Sequence, residues 1–136
     1  MQASEFSLNY LFNDICPYLV FYLADKRTKI MADRLNQLQL FLEESPNSPF
    51  LLFALAKEYE KIENDSQAGH YFKKLIEEHP TYIGTYYHYG KWLEEMEEPE
   101  KALGIYEKGI EVASQEKDQH AKSELMNARM NLELER

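Results

Sequence analysis

Sliding residues 49–82 forward by 34 positions lays them over residues 83–116 in register. Lys57 falls on Lys91, Glu60 on Glu94, Glu63 on Glu97, Ala68 on Ala102, Lys74 on Lys108, Ile76 on Ile110 and Glu77 on Glu111. Apolar positions keep the same step: Leu52 with Tyr86, Phe53 with Tyr87, Leu55 with Tyr89, Ile62 with Met96, and Phe72 with Tyr106. A period of this length belongs to stacked supersecondary units, each of which buries its apolar face only against a neighbour. That restricts the fold more than any single residue does.

Within each unit the spacing reads as two helices. Leu52, Leu55, Ala56 and Tyr59 recur as i, i+3, i+4 and i+7, the stripe of one buried helix face. Ser48 and Pro49 supply an N-cap and a first helical residue. Glu63-Asn64-Asp65-Ser66 breaks the pattern, with Asp65 or Ser66 as the expected cap of the next helix. That helix carries Ala68, Tyr71, Phe72, Leu75 and Ile76 and stops at His79-Pro80, since proline disfavours helix in its predecessor. The second unit repeats the plan with Tyr86, Tyr89, Gly90 and Leu93, a Glu97-Glu98-Pro99 turn, then Ala102, Ile105, Tyr106, Gly109 and Ile110. Upstream, Leu35, Leu38, Phe41 and Leu42 share one face of a helix ended by Ser45-Pro46, so residues 31–48 read as a leading half-repeat. Downstream, Ala121, Leu125, Ala128 and Leu132 mark a polar-backed capping helix within residues 117–136. The expected fold is all-α, with about six helices after residue 30.

Composition narrows the alternatives. The 136 residues suit one domain, and a core of that size needs no staples. Five Gly and five Pro are too few for a turn-rich sandwich or barrel. Cys16 is the single cysteine, which excludes an internal disulfide and a Cys-based zinc module. The net charge of −9 disfavours a broad nucleic-acid or anionic-membrane surface.

Residues 1–30 differ in texture. Lys26, Arg27 and Lys29 balance Glu5, Asp14 and Asp25, so this leader is neutral and the remainder carries the full charge. From Leu8 to Ala24 it is aromatic and aliphatic. The run is too short for a spanning helix and is interrupted by Asn9, Asn13, Asp14 and Pro17. It also lacks the positive start and cleavage site of a secretory signal. Three readings stand: a poorly ordered extension, spurious upstream translation before Met31-Ala32-Asp33, or a segment docked on the body. With no export signal or disulfide, the default compartment is the cytoplasm.

The two units resemble the tetratricopeptide repeat family. Its pattern sets a bulky residue, a leucine, a small residue and a tyrosine on the first helix, then alanine, an aromatic and a closing proline on the second. Leu52, Leu55, Ala56, Tyr59, Ala68, Phe72, Leu75 and Pro80 fill it in the first unit. Tyr86, Tyr89, Gly90, Leu93, Ala102, Tyr106 and Gly109 fill it in the second, with Ser114 in place of the proline. The resemblance implies a helical-hairpin array whose first helices line a groove for segments of partner proteins. The groove positions it implies are Phe53, Lys57 and Glu60 in one repeat, and Tyr87, His88, Lys91 and Glu94 in the next. Phe53 with Tyr87, and Lys57 with Lys91, would then form rows suited to an acidic or aromatic-containing peptide. A chaperone-type carboxylate clamp is not expected, because Phe53 and Lys57 stand where that subgroup has lysine and asparagine. The expected role is a non-catalytic adaptor; self-association through the leader or the repeat ends is the alternative.

No residues are nominated for catalysis, a cofactor or a metal. His70, His79, His88 and His120 have no ligand spacing. The run Glu94-Glu95-Met96-Glu97-Glu98-Pro99-Glu100 lacks the alternating oxygen ligands and glycine of a calcium loop.

Overall fold

The computed structural model describes the backbone of residues 3–135 and side chains from Leu19 to Glu135, so the lone Cys16 side chain lies outside the described residues. Six helices occur among them: α1 (Ala3–Glu44), α2 (Pro49–Lys61), α3 (Asp65–Glu78), α4 (Gly84–Glu95), α5 (Pro99–Gln115) and α6 (Gln119–Leu134). No strand occurs among the described residues.

The chain divides into two compact units, Met1–Gln37 and Leu38–Arg136. Helix α1 runs through the composition boundary at residue 30, and the second unit starts at Leu38. The reason is local. Residues 25–31 contain no Gly or Pro, and helix propagation needs only the next i to i−4 bond. In the first unit, Leu19, Val20, Phe21, Tyr22, Leu23 and Ile30 are all exposed. No described helix is long and apolar enough to cross a membrane.

The second unit is built from hairpins. Ser48 caps α2, its Oγ accepting from the Leu51 N–H at 3.4 Å ahead of Pro49. The cap of α3 is Asn64 rather than Asp65 or Ser66, with Oδ1 accepting from the Gln67 N–H at 3.3 Å. The core follows the predicted stripes, except that Tyr71, Tyr89, Ile105 and Ile110 on them are only half-buried. Leu52, Leu55, Ala56, Ala68, Phe72, Leu75, Tyr86, Ala102 and Tyr106 are fully buried. Ala68 and Ala102 occupy equivalent places, each donating its N–H to the carbonyl of its helix cap, Asn64 at 3.0 Å and Glu98 at 3.1 Å. Small residues let the helices close: a Cβ on Gly90 would collide with the Tyr106 ring, and one on Gly109 would lie 2.6 Å from Tyr86 Cβ.

Three turns share one hydrogen-bond pattern. After α2, Asn64 N–H reaches back to the Tyr59 carbonyl at 2.9 Å; after α4, Glu98 does so to Leu93 at 2.9 Å; after α5, Asp118 does so to Ala113 at 2.9 Å. Each turn places one residue in the left-handed region, Glu63 (φ 56°), Glu97 (φ 57°) and Lys117 (φ 60°). The first two are one repeat apart. The third shows that α5 and α6 also close as a tight hairpin.

Two expectations change at the ends. The spacing puts Phe41 on the buried face of the leading half-repeat, yet it is 54% exposed while Leu38 and Leu42 are half-buried. Helix α6 buries Leu125, Ala128 and Leu132 as expected, but its exposed back is not polar throughout. Met126, Met130 and Leu134 form an exposed i, i+4, i+8 stripe on it.

Candidate functional site

The predicted groove residues come from α2 and α4, whose first-helix register turns them away from the buried stripe. Phe53 is half-buried, and its ring meets His88 edge-on at 5.2 Å and Tyr82 at 6.0 Å. Across the helix interface its aromatic partner is thus His88. Tyr87 lies edge-on to His88 at 5.6 Å, on the side facing α6.

The two lysines carry partners. Lys57 Nζ donates to both carboxylate oxygens of Glu60 at 2.7 Å, and Lys91 Nζ donates to Glu94 Oε2 at 3.0 Å. These i, i+3 pairs recur one repeat apart, so each ammonium is presented beside a carboxylate instead of as a bare cation. At one buried position the repeats differ by a hydroxyl group. Where the first has Phe72, the second has Tyr106, whose buried hydroxyl donates to Glu94 Oε1. Burial first, and then that hydrogen bond, push the Tyr106 hydroxyl far above its ordinary range. Glu94 is consequently fixed from two sides, while among the described residues Glu60 is hydrogen-bonded by Lys57 alone.

His88 sits at the centre of this face. Burial and the Lys57 charge lower its pKa, and Glu60 and Glu124 oppose them in part. Charges on both α2 and α6 thus act on His88. A cleft of about 250 Å³ lies between α4 and α6, lined by Tyr87, Lys91, Glu124, Asn127, Ala128 and Asn131. The capping-helix reading of residues 117–136 does not point to Glu124, Asn127 or Asn131 as cleft-lining residues. The only signal for them was their position beside the Leu125, Ala128, Leu132 stripe on the α6 helical wheel.

Among the described residues no three His, Cys, Asp or Glu side chains converge to hold a metal ion.

Comparison with solved structures decides the family. A tetratricopeptide repeat domain protein from Salinibacter ruber, determined in solution, is 43% identical over 65% of this chain and 89% of its own, with a TM-score of 0.62. A crystal structure of the tetratricopeptide repeat domain protein from the same organism is also 43% identical, covering 63% of this chain and 96% of that one at a TM-score of 0.59. The chain belongs to the tetratricopeptide repeat family. A protein from Bordetella parapertussis is more distant at 25% identity, covering 74% of this chain and 88% of that one, with a TM-score of 0.64. No family model and no curated protein matches the chain. As a tetratricopeptide repeat protein, it has a general protein-interaction fold, in which α2 and α4 are the first helices of two repeats and α6 follows them along the same face.

Proposed function

We propose that this protein is a non-catalytic adaptor and that the face shared by α2, α4 and α6 holds an extended segment of a partner protein. One observation carries the reading. Two Lys-Glu pairs, Lys57–Glu60 and Lys91–Glu94, recur at the repeat interval beside Phe53, His88 and Tyr87. Such a face offers ring surfaces to apolar side chains and alternating charge to a peptide backbone and its polar groups. Asn127 and Asn131 add amides at the α6 edge, able to donate to and accept from a main chain. A pull-down comparing the wild type with the double variant Lys57→Glu, Lys91→Glu tests it. Loss of specific partners is expected; an unchanged set of partners overturns the groove.

A second reading is favoured by a different observation. The exposed apolar side chains of α1 from Leu19 to Leu23, with the Met126, Met130, Leu134 stripe of α6, would suit self-association. Sedimentation of the full chain across a hundredfold concentration range separates the two readings, since an adaptor of the first kind stays monomeric.

A further inference from the structure

The Lys-Glu pairs of the two repeats look alike, yet they answer an incoming charge differently. Lys57 Nζ donates to both oxygens of Glu60 at 2.7 Å, and among the described residues Glu60 has no other hydrogen-bond donor. Glu94 divides its oxygens: Oε2 accepts from Lys91 Nζ at 3.0 Å, and Oε1 accepts from the buried Tyr106 hydroxyl. The first repeat has Phe72 at that place, so no hydroxyl does the same for Glu60. Acidic neighbours do not make the difference. Glu63, Asp65 and Glu95 share a cleft with Glu60, and Glu95, Glu97 and Glu135 share one with Glu94.

The two ends of the face therefore suit opposite charges. A carboxylate that takes the Lys57 ammonium displaces Glu60, whose partly exposed side chain then turns to water. His88, edge-on to Phe53, is neutral or positive and adds no repulsion for it. A carboxylate at Lys91 instead finds Glu94 held by Tyr106, so two like charges would share one ammonium. Burial and the bond to Glu94 keep the Tyr106 hydroxyl protonated, so this tether persists. Glu124 lines the same α4–α6 cleft as Lys91 and leaves that end net negative. Exposed His120, 3.7 Å from Glu124, offsets its charge only when protonated.

We propose that Tyr106 gives the groove a direction: the bound segment sets an acidic side chain at Lys57 on α2 and a basic one at Glu94 and Glu124 beside α4 and α6. The inference rests on the groove reading and adds the charge order of its ligand. Lys57 and Lys91 are thus not two copies of one acid-binding site, although they stand one repeat apart. Fully buried, Tyr106 acts only through Glu94, as a positioning residue.

The probe is an acetylated, amidated Gly/Ser decapeptide with a glutamate near its start, an arginine near its end and a phenylalanine between them. Two forms carry a nitroxide beside the glutamate or beside the arginine. Paramagnetic broadening of backbone amides is read by NMR at low ionic strength, where surface charges are least screened. The glutamate-side label should broaden residues 53–60 at least about twofold more than residues 124–131, in line with one partly exposed ion pair. The arginine-side label should reverse that order. Tyr106→Phe, which copies the first repeat, should still bind but abolish the contrast. Tyr86→Phe removes another buried hydroxyl, which donates to the Pro80 carbonyl at 2.8 Å, and should keep it. Equal broadening by both labels, a contrast that survives Tyr106→Phe, or one lost equally in Tyr86→Phe overturns this inference and leaves the groove standing. Broadening centred outside α2, α4 and α6 overturns the groove as well. No broadening at all overturns this inference alone, and the pull-down with Lys57→Glu, Lys91→Glu then judges the groove.

Discussion

At Gly90 the first and second helices of the second repeat meet with no room for a methyl group, because the Tyr106 ring occupies the place of a Cβ. Tyr106 cannot retreat: it is fully buried and its hydroxyl is tied to Glu94. Gly90→Ala should therefore destabilise the fold by about 1–3 kcal/mol, the usual cost of overpacking. Gly104, also helical, has nothing within 4 Å of its missing Cβ, so Gly104→Ala should stabilise by about 0.5–1 kcal/mol. Urea unfolding of the two variants side by side checks the opposite signs. His88 gives a pH prediction. Burial and Lys57 lower its folded-state pKa below the ordinary 6.5, so the unfolded chain binds the proton more readily. Stability contributed by neutral His88 is then complete above about pH 6.5 and declines as pH falls towards the folded-state value. In His88→Gln, thermal melts over that interval should lose this slope, leaving the carboxylate titrations at lower pH in place.

The three turns with left-handed Glu63, Glu97 and Lys117 define how the elements close. A side chain with a Cβ costs about 1–2 kcal/mol in that region, and glycine removes the clash at some entropic cost. Lys117→Gly should accordingly raise stability by about 0.5–1 kcal/mol, seen as a higher urea midpoint with unchanged m-value. A fall would mean that the α5–α6 turn is not built like the turn after α2. The places of the first two turns were legible in the sequence, at Glu63-Asn64-Asp65-Ser66 and Glu97-Glu98-Pro99, but their left-handed residues were not, because glutamate and lysine carry no left-handed signal. The helices were legible, since Leu52, Leu55, Ala56 and Tyr59 state their buried face by spacing alone. Trp92 was not: its partner one repeat earlier is Glu58, so the alignment marks that place as polar, although both residues are buried. Helix α6 was placed correctly, but the residues it sets beside α4 do not resemble their repeat counterparts, Glu124 falling on Gly90 and Asn127 on Leu93, so the alignment does not point them out. Spacing reports which side of a helix is covered; it does not report what the next helix brings alongside.

Over the whole molecule, burial is unequal between the two units. From Leu19 to Ile30 every residue of α1 is exposed, whereas α2 to α6 share a continuous core from Leu52 to Leu132. A helix without a packed face relies on its own hydrogen bonds, which hold a single helix only marginally in water. Backbone protection should follow the core and not the helix assignment. In hydrogen exchange read by mass spectrometry, amides of residues 19–37 should exchange at least about a hundredfold faster than those around Ala56, Phe72 and Tyr106, although both sets are helical. The comparison also separates the two functional readings. Repeated at high protein concentration, the contrast persists if the protein acts as a monomeric adaptor, because no surface becomes covered. If the apolar side chains from Leu19 to Leu23 pack against a second copy, protection of residues 19–37 rises with concentration, since exchange then requires dissociation first.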